Sequence, residues 1–161
     1  MRFILPVLLI VLASCQTTRY YIVRHGEKAD PAAGMGSDVP LSPAGEARAQ
    51  ALQARLSNAR LKYVYSTNFT RTKATAAPAA SAAGLGLVFY DPKDTAFVGR
   101  VLAQGPGNTL IVGHSNSVDD LVNRFLGRSE LTDLPDSAYG DLFIITKRGK
   151  RMSFRHAHFG E

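Results

Sequence analysis

Residues 19–27, Arg-Tyr-Tyr-Ile-Val-Arg-His-Gly-Glu, decide the fold. Arg19 to Val23 reads as a strand rich in aromatic and β-branched side chains, and its apolar stretch lacks the polar alternation of a half-exposed strand. That is the pattern of a strand covered on both faces. It ends abruptly in charge and glycine, at Arg24-His25-Gly26-Glu27. Strands buried on both faces belong to mostly parallel sheets with helices above and below. In such sheets ligand-binding groups gather at the carboxyl ends of the strands. The question is then whether the same pattern recurs downstream.

It recurs twice. Leu61 to Tyr65 reads as a strand that ends in Ser66-Thr67, and Thr109 to Val112 as one that ends in Gly113-His114-Ser115-Asn116. Helices separate these strands. Ser42-Pro43, an N-cap followed by proline at the first helical position, opens one that runs to about Asn58. An alanine-rich helix spans about Phe69 to Ala83, with a kink or break expected at Pro78. Asp94–Ala103 and Ser115–Leu126 read as two more, the last closed by Gly127. Leu87–Tyr90 is a short strand, and 142–146 with 152–156 form a hairpin across Arg148-Gly149-Lys150. The expected fold is α/β: a three-layer α/β/α sandwich, its sheet mostly parallel, with an antiparallel C-terminal hairpin.

In that arrangement the three strand ends open on one edge and bring Arg24, His25, Arg71 and His114 together. Arginine gives permanently charged, bidentate hydrogen bonds to phosphate oxygens, and a neutral imidazole nitrogen can attack phosphorus. The helix that opens at Ser115 adds backbone N–H groups and a positive dipole end. Val23-Arg24-His25-Gly26-Glu27, Ser66-Thr67 with Arg71, Val112-Gly113-His114-Ser115-Asn116 and the Leu41–Glu46 helix start together resemble the histidine phosphatases, the phosphoglycerate-mutase-like superfamily, in its compact branch. The resemblance covers roughly residues 19–160. It implies that His25 is the nucleophile that becomes phosphohistidine, and that Arg24, Arg71 and His114 clamp the phosphoryl oxygens, with Ser115 and Asn116 beside them. It also implies metal-independent chemistry without a cofactor. Larger members place an acidic glutamate in an insertion after the second helix. Here no glutamate lies between Glu46 and Glu130, leaving Asp91 and Glu27 as candidate general acids.

The chain has 161 residues, enough for one domain with a real core, and an apolar content that excludes a disordered protein. Its formal charge of +6 is scattered and contains no run of five basic residues, which argues against nucleic acid. The expected partner is a small phosphorylated substrate: a sugar phosphate, an envelope phospholipid-type phosphate or a scavenged organic phosphate. Met1-Arg2 followed by the apolar run Phe3–Leu12 reads as an export signal, residues 1–14, too short to span a bilayer. Leu12-Ala13-Ser14-Cys15 resembles the bacterial lipoprotein cleavage box. Cys15, the one cysteine of the chain, is then lipidated, residues 15–18 are a tether, and 19–161 form the domain. By that resemblance, Gln16 in place of an aspartate after the cysteine implies the outer membrane over the inner, on the periplasmic face of the envelope. Three other readings compete. Gly113-His114-Ser115-Asn116-Ser117 approaches a nucleophile elbow, with Asp133 or Asp136 and His156 or His158 downstream for a serine esterase. His156 and His158 share one face of a strand, as metal ligands do, although two polar residues on a terminal strand are the plainer reading. The third is a catalytically inactive, lipid-anchored module that holds an anion.

Overall fold

The computed structural model describes residues 16–34, 36–135 and 137–160. The export segment, Cys15 and Asp136 lie outside the described residues. Six strands form one sheet in the order β3-β2-β4-β1-β5-β6. They are β1 (Thr17–Arg24), β2 (Leu61–Ser66), β3 (Val88–Phe89), β4 (Asn108–Gly113), β5 (Asp141–Arg148) and β6 (Arg151–His158). The first four are parallel to one another, and β5 and β6 are antiparallel, as the sequence led us to expect.

The alternation along β1 explains the layering. Tyr20 and Ile22 enter one core with Ile111, Phe143 and Ile145, beneath α3 (Phe97–Ala103) and α4 (Ser115–Leu126). Tyr21 and Val23 enter the other with Leu110, Val112 and Leu142, beneath α1 (Pro43–Arg55) and α2 (Thr70–Ala82). Each neighbour along the strand therefore has a core of its own, which is why the segment is apolar throughout.

Three details differ from the sequence reading. The helix α2 continues through Pro78 without ending there. Strand β1 starts two residues early: Thr17 and Thr18 pair with Arg148 and Lys147, and Thr18 is buried. These two residues therefore belong to the sheet and not to a tether. Residues 94–96 form turns ahead of α3, because Asp94 Oδ1 accepts from the backbone N–H of Ala96 and holds that turn.

Candidate active site

Arg24 is the last residue of β1, and the ladder to β4 continues one step beyond it, the N–H of His25 donating to Gly113 O at 3.0 Å. That bond lays the His25 loop against the start of the His114 loop. The two imidazoles meet edge to face with centroids 5.3 Å apart. Gly26 then passes so close to α1 that a Cβ on it would meet Gly45 O at 2.8 Å. Glycine at both positions lets the two backbones touch.

Arg71 enters from the first turn of α2, where it is 2% exposed. This helix has no side-chain cap of its own. Asp38, from the 28–40 loop, takes that place: its Oδ1 accepts from Thr70 N at 2.6 Å. Arg71 Nη1 donates to Ser37 O at 2.6 Å, and its guanidinium lies over the Phe69 ring. Arg24 is held from the opposite side by the segment before β5. Its guanidinium lies over the Tyr139 ring, 4.2 Å from the centroid, and donates to Pro135 O at 3.3 Å.

The result is a cleft of about 550 Å³ at the carboxyl edge of the parallel strands. Arg24, His25, Arg71, His114 and Ser115 line it, as do Lys28, Ser137 and Tyr139, which the sequence did not single out. Lys28 carried a signal, a cation three residues after the nucleophile candidate. Tyr139 carried none, since it sits in an irregular segment ahead of β5. A larger groove between α1 and α2 is walled mostly by small and uncharged side chains and contains neither histidine nor arginine.

Burial sets the chemistry of the two histidines. Desolvation holds His25 down to about 3, partly offset by its bond to Gly26, while His114, Arg24 and Arg71 add smaller downward pulls. The same desolvation, with Arg71 and Arg24, holds His114 to about 4. Both rings are neutral near pH 7. His25 Nδ1 lies 2.7 Å from Gly26 O. A carbonyl can only accept, so Nδ1 carries the hydrogen and Nε2 keeps its lone pair. On His114, Nε2 meets Thr67 Oγ1 at 2.8 Å. Arg71 Nη2, which can only donate, lies 3.4 Å from Nδ1, so Nδ1 keeps its lone pair and Nε2 carries the hydrogen, donating it to Thr67 Oγ1 while Thr67 donates to Thr72 Oγ1.

Neither candidate acid is in the cleft. Glu27 is gripped by Arg48, whose Nε donates to Oε2 at 2.9 Å and Nη2 to Oε1 at 2.6 Å. Those bonds hold its carboxyl below the usual carboxylate range, so it is ionised and has no proton to give. Arg48 also donates to Gly160 O, so the pair fastens the C-terminal end to α1. Asp91 is exposed and accepts from the N–H of Lys93, a turn-forming contact outside the cleft. Asn116 is exposed and does not line the cleft, whereas Ser115 does. Among the described residues, no carboxylate lines it. The esterase reading also loses its base: His156 and His158 both meet Asp141, and neither lines the cleft with Ser115.

Residues 20–92 match the model of the histidine phosphatase superfamily (branch 1). No curated protein matches the sequence. Solved structures share the fold. The protein histidine phosphatase SixA complexed with tungstate is 18% identical with a TM-score of 0.68, over 87% of this chain and 96% of that one. YhfR of Bacillus stearothermophilus is 20% identical with a TM-score of 0.68, over 89% and 97%. A mycobacterial glucosyl-3-phosphoglycerate phosphatase is 14% identical with a TM-score of 0.64, over 90% and 99%. The family model thus covers under half of the chain, and the solved structures share its fold.

Proposed function

We propose that the protein hydrolyses phosphomonoesters through a phosphohistidine on His25 Nε2. The observation that carries this reading is the bare Nε2 of a buried, neutral imidazole beside two guanidiniums, in a cleft without a described carboxylate. In the first step Nε2 attacks phosphorus, the bond from phosphorus to the leaving oxygen breaks, and Nδ1–H stays on Gly26 O while the ring becomes cationic. Arg24 and Arg71 receive the charge on the equatorial oxygens, with the His114 ring beside them. Water then attacks the phosphohistidine, the N–P bond breaks, and inorganic phosphate leaves.

With no carboxylate among the described lining residues, the cleft favours substrates whose leaving group departs without a proton. Rates should therefore fall steeply as the leaving-group pKa rises along a series of aryl phosphates. The test is release of phosphate from p-nitrophenyl phosphate, with acid-labile, base-stable label trapped on the protein from a labelled aryl phosphate. Turnover with no label, or label that persists in His25→Ala, would overturn the mechanism. Binding without turnover would favour the inactive anion-binding module.

The same reading places the protein in the cell envelope, exported and anchored by lipid on Cys15, at the outer membrane more than the inner. Two features of the domain support it. Strand β1 starts at Thr17 beside Arg148, so an anchor at Cys15 would adjoin the basic turn formed by Lys147, Arg148, Lys150 and Arg151. His25 lies at the far end of that strand. Eight residues at about 3.3 Å each span roughly 25 Å, which favours soluble phosphate esters, such as sugar phosphates or scavenged organic phosphates, over lipid headgroups.

A further inference from the structure

Three side chains that the phosphatase reading does not use converge at the end of the β5–β6 hairpin. We propose that Asp141, His156 and His158 form a site for one divalent transition-metal ion of the zinc and copper class. The ladder builds it. His156 and His158 are two residues apart on β6, so both rings leave the same face of the strand. The register sets Asp141 directly opposite His158. Asp141 Oδ1 lies 2.7 Å from His156 Nε2 and 3.1 Å from His158 Nδ1, and the three ligand atoms fall within 4.8 Å of one another.

Zinc bonds of about 2.0–2.2 Å to nitrogen and oxygen set tetrahedral ligand edges a little above 3 Å, so the two oxygen–nitrogen separations need to open by well under 1 Å to admit the ion. Two features pre-organise them. Asp141 is only 13% exposed, held at the start of β5, and the His156 ring stacks on Phe143 with centroids 4.9 Å apart. Both imidazoles stay open to solvent, which gives the ion an entry path and leaves its fourth position to water. Two imidazoles and a carboxylate suit zinc, copper and nickel, and suit magnesium or calcium poorly. Each ring that now faces Asp141 through a hydrogen would move it to its other nitrogen and give the freed lone pair to the metal. The site is separate from the cleft and independent of the proposed hydrolysis.

The experiment is calorimetric titration of zinc chloride into metal-free full chain at neutral pH. One equivalent should bind, with copper tighter than zinc. Binding should weaken about tenfold or more in His158→Ala and in Asp141→Asn, the usual scale for loss of a metal-site partner. It should persist in His25→Ala, and p-nitrophenyl phosphate turnover should be unchanged in His158→Ala, which also reports that this variant is folded. Zinc should raise the thermal midpoint of the wild type and not of His158→Ala, since only the folded hairpin assembles the ligands. No binding by the wild type, equal binding by His158→Ala, or binding lost in His25→Ala would overturn the proposal. Failure of phosphate release alone would leave the metal site standing and sink only the hydrolytic reading.

Discussion

Within three residues the loop after β1 holds a histidine and a glutamate whose neighbours give them opposite tasks. His25 is neutral because burial starves its charged form of solvent, and Glu27 is ionised because Arg48 grips both its oxygens. The chemistry should divide accordingly. His25→Ala should reduce phosphate release to background, while Asp91→Asn should keep kcat and KM within about twofold, since its carboxylate serves only a turn. A large kcat loss in Asp91→Asn would reinstate it as the acid. The four central groups were legible in the sequence because each lies at a strand end or within five residues of one, so local pattern places them. Glu27 and Asp141 were not, since their roles depend on partners 21 and 15 residues away. Spacing along the chain cannot reveal which of those partners a carboxylate meets.

The histidine shifts also fix how stability responds to acid. Both folded-state values, about 3 and about 4, lie below the 6.5 of an unfolded histidine. Between these limits the unfolded chain binds more protons than the folded one, so stability falls as pH drops from about 6.5 toward 4. Glu27 works in the same direction at lower pH: its depressed pKa gives stability above the unfolded carboxylate value that is lost below it. The thermal midpoint should therefore be flat above pH ~6.5 and decline below it. His114→Gln should flatten the decline in the upper window, and an unaltered slope would mean that this ring is not buried neutral.

Among the elements, α1 approaches the active-site loop most closely. A Cβ on Gly45 would stand 2.3 Å from Glu27 O, a backbone atom that cannot turn aside. Gly45→Ala should push α1 and the His25 loop apart, lowering stability by about 1–3 kcal/mol and reducing turnover with it. Gly34→Ala, where a Cβ would meet nothing within 4 Å, is the control. Urea denaturation checks both. The helix start at Ser42-Pro43 was readable because caps are local; Ser42 Oγ accepts from Gly45 N as that reading requires. The cap of α2 was hidden, because Asp38 reaches it from 32 residues away. Strand β1 was read two residues short for a similar reason. Thr17 and Thr18 have no apolar pattern and are strand only because β5 extends beside them.

At the scale of the whole molecule, the two ends of β1 face different surroundings. The amino end adjoins the 147–151 turn, where Arg148, Lys150 and Arg151 are exposed, and Arg19 and Arg60 are also exposed toward the starts of β1 and β2. Each basic residue held near an anionic leaflet adds about 1 kcal/mol of attraction. An acyl anchor on Cys15 would therefore be reinforced, with only Gln16 between the anchor and the sheet. Cys15→Ser should move the protein from the membrane fraction to the soluble periplasm. Lys150→Glu with Arg151→Glu on the anchored form should leave it membrane-bound but more easily extracted by detergent. Turnover of a soluble aryl phosphate should be equal for anchored and released forms, because His25 lies a strand's length from the anchor. A phosphate carried on a lipid headgroup should be hydrolysed slowly by both, since a cleft some 25 Å along the strand from an anchor at Cys15 would not reach it. Faster hydrolysis of the lipid-borne ester by the anchored form would mean that the cleft faces the bilayer. Quantitative sedimentation of Cys15→Ser with membranes after a high-salt wash would instead remove the lipid anchor and leave the apolar run Phe3–Leu12 to account for the attachment.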